Sequence, residues 1–271
     1  MSILISADDF GITDTVNNAI TECFKKGYIG RTTLMCNMPF AKEAMDIASK
    51  NDFIGNVGIH LNITAGVPKS DSIRFNNLFC NDDGVFNAEF TKNLKCRLSL
   101  DETCTKSVYR EFVSQFEIYR DLGGSLWHVD SHHHVHTDAS VYKALKRCFL
   151  EFPIKTVRLS RNLYRGGNPA VRLYKNAFNK GIVKDNKAQG EEYFGSFSDL
   201  MSYLGMNSLE ELKHEISVGS KKYDDAVKFA QHSIIEIMVH PSFDKNGICV
   251  DITHDENRPM TEIYEYISLI G

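Results

Sequence analysis

Ile3-Leu4-Ile5-Ser6-Ala7-Asp8-Asp9-Phe10-Gly11 opens the chain with an apolar run, two adjacent carboxylates and a glycine. The run Ile3 to Ala7 is short and continuous, the pattern of a buried strand. A helix follows the Gly11 turn. Thr13 or Asp14 can accept from the free N–H groups of its first turn. Val16, Ala19, Ile20, Cys23 and Phe24 recur at helical spacing, and Gly27 sits where a left-handed stop is needed. The chain therefore begins strand, loop, helix.

The same alternation continues outward. Arg31 to Cys36 reads as a strand, and Ala41, Ala44, Met45 and Ala48 mark a helix face. From Asn56 to Thr64 the side chains alternate. Val57, Ile59, Leu61 and Ile63 point one way, and Gly58, His60, Asn62 and Thr64 the other. Further strands are expected at Leu126 to Ser131, Ile154 to Ser160 and Ser233 to His240. Helices are expected from about Asp101, with Val108, Phe112, Phe116 and Tyr119 inward, and after an Asp138 cap. Others are expected at about 168 to 180, from the Ser208-x-x-Glu211 capping box to about Val218, and from Pro259. Six strands alternating with helices argue for a parallel sheet with crossover connections. The expected fold is α/β, a distorted or incomplete β/α (TIM-like) barrel in a single domain over residues 1 to 271. Irregular insertions are expected at about 66 to 100 and 161 to 205. An open doubly wound sheet is the alternative, but no glycine-rich phosphate fingerprint follows any strand.

Net charge is −4 over 271 residues, so the basic excess that neutralises phosphates is missing and a nucleic-acid partner is not expected. There is no basic amphipathic stretch for a membrane surface and no apolar run that would span a bilayer. The seven cysteines are scattered, odd in number and form no C-x-x-C pair. Neither a disulfide framework nor a cysteine zinc site is expected, and the reducing cytoplasm fits best. A targeting segment before the first strand is not expected, since the opening has neither a basic start nor a long apolar run.

In β/α folds the polar residues at strand C-termini form the site. Asp8 and Asp9 sit where the first strand ends. Close to a metal, paired acids can divide their roles, one ligating and the other free as a base; a solvated turn with Asp9 or Asp14 as a cap is the plainer alternative. His60 lies on the polar face of an apolar strand, where a lone histidine is more often a hydrogen-bonded core residue. The run His128-Val129-Asp130-Ser131-His132-His133-His134-Val135-His136 changes that balance. If extended geometry persists, His128, Asp130, His132, His134 and His136 share one face. So many titratable rings repel one another on protonation unless a metal organises them. Neutral imidazole is the commonest ligand for borderline divalent ions. Asp9, His60 and a member of the run supply one carboxylate and two histidines, a catalytic donor set with open positions. Asp130 can instead fix an imidazole by accepting its other N–H. Glu236, Met238 and His240 share a face at a late strand end, where His240 suits a general acid or simply ends the strand before the Pro241 turn. Arg158 either lies in a buried salt bridge or steers a carboxylate or acetate.

Together these motifs resemble the YdjC-like carbohydrate deacetylase family, which includes the chitooligosaccharide deacetylases. The residues that carry the resemblance are Ala7-Asp8-Asp9-Phe10-Gly11 with Val16-Asn17, Gly58-Ile59-His60-Leu61-Asn62-Ile63-Thr64 with Gly66 and Pro68, Asp130 to His136, and His240-Pro241. They span nearly the whole chain in the family's order. Ser6 and Ser242 stand where the family usually has asparagine and glycine. The resemblance implies a distorted β/α barrel, often dimeric, that hydrolyses the acetamide of small N-acetylated sugars, a linear amide C–N bond. It implies a divalent metal, Mg²⁺ or Zn²⁺, held by Asp9, His60 and His132. Asp8 is then the free base and His240 the acid, with His134 as the other candidate. Asp130, His134, His136, Asn62, Arg158 and Glu236 would back the ligands or meet the sugar, and a homodimer is a candidate assembly.

Two rival readings differ in what they require. A metal-dependent phosphoesterase would want a phosphate clamp, for which only Arg158 and Arg161 offer themselves. A sugar-binding or metal-sensing protein would not need the intact Asp8-Asp9 pair.

Overall fold

The opening apolar run forms β1 (Ile3–Phe10), which carries on through both carboxylates. α1 (Asp14–Lys25) follows, and Thr13 caps it by accepting the Val16 N–H at 3.2 Å. The computed structural model describes residues 3–164, 167–253 and 257–271. The chain then runs β2 (Arg31–Leu34), α2 (Ala41–Lys50), β3 (Val57–Leu61), α3 (Asp71–Arg74), α4 (Leu94–Leu98) and α5 (Glu102–Asp121). Next come β4 (His128–Ser131), α6 (Ala139–Cys148), β5 (Thr156–Val157), α7 (Pro169–Asp185), β6 (Tyr193–Ser196) and α8 (Phe197–Leu204). The last part holds α9 (Leu209–Ser217), α10 (Lys221–His232), β7 (Ile235–Val239), β8 (Pro241–Phe243), β9 (Cys249–Asp251), β10 (Arg258–Pro259) and α11 (Met260–Ile270).

Seven strands form one sheet in the order β5-β4-β3-β2-β1-β7-β6, and β10-β9-β8 form a small second sheet. The β1–β7, β6–β7, β3–β4 and β4–β5 pairings are parallel. This is an α/β fold with a parallel sheet and helical crossovers, as the alternation of the sequence requires. No helix among the described residues is long and apolar enough to cross a membrane.

The structure corrects several expectations. The main sheet has seven strands rather than six, because β6 lies inside the 161 to 205 region read as irregular. Its four residues, with Gly195 among them, are too few to show a period. Residues 165 and 166 of that region lie outside the described residues. α7 continues to Asp185, and α8 occupies the end of the same region. α10 escapes a reading by period because its buried positions are only Ala226 and Ala230. The strand expected at Ile154 to Ser160 shrinks to two residues. Asp138 stands at the N-cap of α6, but its side chain makes no cap bond and accepts from Arg97 Nε at 2.8 Å.

The chain divides into two compact units. The first comprises Met1–Asp8, Asn18–Thr32 and Arg158–Gly271; the second comprises Asp9–Asn17 and Thr33–Val157. In the first, Ile235, Ile237 and Val239 of β7 are buried, as are Phe197, Leu200, Ile263, Tyr266 and Ile267. In the second, α5 turns Val108, Phe112, Phe116 and Tyr119 inward, as its spacing predicts. Burying one such phenylalanine contributes roughly 1.5–3 kcal/mol. The Tyr119 hydroxyl lies at 2.7 Å from both the Val57 and Leu126 carbonyls and so ties β3 to the entry of β4.

Gly58 sets how closely the strands of the second unit approach. A Cβ there would meet the His128 carbonyl at 2.9 Å and Thr33 Cγ2 at 3.1 Å. With glycine in place, β3 and β4 pair in a register that sets Ile59 beside Val129, His60 beside Asp130 and Leu61 beside Ser131.

Candidate metal centre

In the second unit, Asp9, His60 and His132 each present a ligand atom within 4.8 Å of the others. Each arrives from a different part of the sheet. Asp9 sits near the end of β1 with φ +68°, outside the extended region of its neighbours. His60 is on β3, and His132 is the first residue past β4. His132 Nδ1 lies 2.8 Å from Asp9 Oδ1, and His60 Nε2 lies 3.2 Å from the same oxygen.

The histidine run does not keep the alternation expected of it. β4 stops at Ser131, and the backbone turns left-handed at His133 (φ 53°) and His134 (φ 55°). His132, before that turn, lies against Asp9, while after it the chain doubles back and His136 Nδ1 lies 2.6 Å from Ser131 Oγ. His128 remains on the strand with Nδ1 2.9 Å from Thr156 Oγ1. Left-handed conformations at non-glycine residues cost about 1–3 kcal/mol each and gather at functional sites. Asp9, His133 and His134 are three such residues.

Behind the group, Asp130 Oδ1 lies 2.7 Å from His60 Nδ1. The Thr33 hydroxyl donates to Asp130 Oδ2 at 3.0 Å and lies 3.0 Å from the same His60 nitrogen. A carboxylate can only accept, so Asp130 assigns the His60 proton to Nδ1. Nε2 is then the ring nitrogen that faces Asp9 Oδ1, 3.2 Å away, and either a second ring proton or a divalent cation can bridge the two. Burial pushes the Asp9 carboxyl upward, but hydrogen bonds from His132 and His60 outweigh it and hold the group well below the usual carboxylate range. One carboxylate and two imidazoles suit a borderline or hard divalent ion and leave coordination positions open.

The other residues marked by the sequence have defined places. Asn62 folds into its own turn: its Oδ1 accepts from Thr64 N and Ala65 N, and its Nδ2 donates to Asn37 and the Ala65 carbonyl. In the first unit, Arg158 is wholly buried and grips both oxygens of Asp8 at 2.8 Å. Its Nε also donates to Glu236 at 2.8 Å. Of the two roles left open for Arg158, the buried salt bridge is the one present. The network continues through Arg31, which pairs with Glu236 at 2.6 Å and with Glu191 at 2.9 Å. Two guanidiniums thus face three carboxylates. Burial and the nearby Glu236 push the Glu191 carboxyl above its ordinary range. His240 is held from both sides, its N–H donating to Asp251 Oδ1 at 2.7 Å and its Nδ1 lying 2.8 Å from the Thr253 hydroxyl.

Thr33, Arg31, Glu191, Asp251 and Thr253 do not stand out in the sequence. The one available signal is Arg31, a charge opening an otherwise buried strand.

A family model described as YdjC-like protein matches residues 2–266. The chain belongs to the YdjC-like family. A carbohydrate deacetylase of Thermoanaerobacter pseudethanolicus is 30% identical over 227 residues, 82% of this chain and 82% of its own length. One from Clostridium beijerinckii is 36% identical over 160 residues, 58% of this chain and 61% of its own length. A crystal structure of an Enterococcus faecalis V583 protein, described in terms of cellobiose-phosphate cleavage, superimposes with a TM-score of 0.59 at 19% identity. It covers 99% of this chain and 89% of that one and bears out the α/β fold. The motifs on which the resemblance rests, Ala7 to Gly11, Gly58 to Thr64, Asp130 to His136 and His240-Pro241, all fall inside the stretch matched to the YdjC-like family.

Proposed function

We propose that this YdjC-like chain is a metal-dependent carbohydrate deacetylase that hydrolyses the acetamide of N-acetylated sugars such as chitooligosaccharides. The observation that carries it is the Asp9–His60–His132 group with Asp130 and Thr33 behind it. The relatives named carbohydrate deacetylase support the substrate class. The proposal includes a distorted β/α barrel, Mg²⁺ or Zn²⁺ as the metal, a cytoplasmic site of action and a homodimer.

Asp9, His60 and His132 would hold a divalent ion, which when bound would supply Lewis acidity toward the acetyl carbonyl and a water. Asp130 fixes the ring of His60, so the ligand is oriented before substrate arrives. Asp8 takes the proton of the attacking water, and Arg158 holds its carboxylate in one orientation. His240 gives a proton to the departing sugar amine, with His134 as the alternative donor. Asp251 and Thr253 fix the His240 backbone and ring for that transfer. Asn62 shapes the turn after His60, while His136 braces the histidine turn through Ser131.

A phosphoesterase gains no support from the arginines. Arg158 is committed to Asp8 and Glu236, and Arg161 makes a forked pair with Asp199 at 2.6–3.0 Å.

The test is acetate release from diacetylchitobiose and related N-acetyl sugars after chelation and re-addition of Mg²⁺ or Zn²⁺. Metal-dependent acetate that disappears in His60→Ala and His132→Ala is the expected result. No acetate from any sugar, with metal still bound, would overturn the deacetylase assignment.

A further inference from the structure

Cys23 on α1 and Cys249 on β9 are far apart in sequence, yet their sulfurs lie 3.4 Å apart within the first unit. The two thiols differ in access. Cys23 is fully buried, whereas Cys249 is partly exposed. Cys249 also lines a surface cavity of about 240 Å³, together with Glu22, Lys26, Tyr28, Phe243 and Ile248. A small polar oxidant therefore has a route to one sulfur and not to the other.

Geometry and charge agree on which sulfur reacts first. The hydrogen bond between the two thiols lowers the Cys249 thiol below its ordinary value, burial and the Glu22 carboxylate oppose it, and the Lys26 ammonium adds a smaller lowering. The same hydrogen bond, with burial, pushes Cys23 far up. A partly exposed sulfur at the mouth of a cavity, with a buried thiol 3.4 Å behind it, is an attacking sulfur with its resolving partner in place.

We propose that Cys249 and Cys23 form a reversible oxidation site that takes a peroxide-class oxidant and closes a Cys23–Cys249 disulfide. The Cys249 thiolate attacks one peroxide oxygen, the O–O bond breaks, and the other oxygen leaves as hydroxide, giving a sulfenic acid. The Cys23 sulfur then attacks the Cys249 sulfur. The S–S bond forms, the S–O bond breaks, and water departs with the Cys23 proton. In sum, two thiols lose two electrons and two protons, and hydrogen peroxide becomes two waters. The sulfurs must close from 3.4 Å to roughly 2.0 Å, the length of a disulfide. The bond ties β9 to α1, and β9 carries Asp251, which holds the His240 N–H. The site is independent of the deacetylase assignment.

The test treats the full reduced chain with hydrogen peroxide, blocks remaining thiols by alkylation and maps peptides by mass spectrometry without reductant. A linked pair of peptides carrying Cys23 and Cys249, lost on adding dithiothreitol, is the expected product, with a higher melting temperature than the reduced chain. Cys23→Ala, which keeps the buried position apolar, should leave Cys249 as a sulfenic acid trappable by dimedone. Cys249→Ser should leave Cys23 a thiol. The proposal is overturned if Cys249 oxidises no faster than the half-buried Cys96 and Cys104. It is equally overturned if Cys249 passes to sulfinic acid without the linked pair forming.

Discussion

Asp130 stands beside His60 in the β3–β4 register, and its Oδ1 lies 2.7 Å from the His60 Nδ1. The register is the cause of the contact: parallel neighbours present their side chains on the same face, so a histidine and an aspartate at paired positions must meet. Asp130 therefore orients the ring of His60, the proposed metal ligand, through hydrogen bonding. Asp130→Ala is expected to weaken divalent-metal binding by about 10–100-fold. Titration calorimetry with Zn²⁺ or Mg²⁺ measures it, and an unchanged dissociation constant would remove Asp130 from that role.

Thr33 extends the chain of support by one step, since its hydroxyl donates to the second oxygen of Asp130. Valine has the same shape without the donor, so Thr33→Val should cost about 0.5–1.5 kcal/mol in metal affinity, a factor of roughly 2–10. Thr33→Ser keeps the hydroxyl and should recover most of it. Equal loss in both variants would mean that packing of the Thr33 methyl against Gly58, and not the hydrogen bond, is what matters.

The parts of this molecule legible in the sequence are those with a local period or a local motif. The β1–α1 opening, the inward face of α5 and the alternation through β3 follow from spacing alone. The donors Asp9 and His60 are also visible, because polar residues at strand ends stand out against apolar strands. The expectation of five groups on one face fails at Ser131. Nothing in a row of histidines announces the left-handed backbone at His133 and His134 that ends the alternation after His132. Arg31, Glu191 and Thr33 are hidden for another reason: their partners are far away in the chain, and no local pattern encodes a pairing set by the sheet. β6 and α10 are hidden by shortness and by small buried residues.

Arg158 anchors the buried charges of the first unit through Asp8, Glu236 and Ser6. Removing one partner from such a network leaves buried charge uncompensated, which typically costs about 3–5 kcal/mol. Arg158→Met fills much of the volume without the charge and is expected to lower the unfolding free energy by about that amount. Arg158→Lys should lie between, because a point charge cannot grip both oxygens of Asp8. Urea denaturation followed by circular dichroism decides it. A wild-type midpoint for Arg158→Met would show that the network adds nothing to stability.

Glu111 offers a test in pH. It is buried on α5, accepting from Lys69 N and Ser70 N at 2.9 and 2.7 Å and from Gln115 Nε2 at 2.7 Å. Burial raises its carboxyl above the ordinary value, and the hydrogen bonds from Gln115, Lys69 and Ser70 reduce the rise without cancelling it. The folded state thus holds this proton more tightly than the unfolded chain does. Where the folded state binds more protons, stability falls as pH rises. Glu111 is neutral in both states at low pH, and its relative contribution is lost as pH climbs from the unfolded value, about 4.3, through the folded one. Glu111→Gln cannot ionise and keeps one accepting oxygen. The stability of the wild type relative to that variant should therefore decline as pH rises above about 4.3, as read from urea midpoints at each pH. A difference that stays flat, or that grows with pH, would mean the hydrogen bonds outweigh burial and the carboxylate is the form the fold prefers.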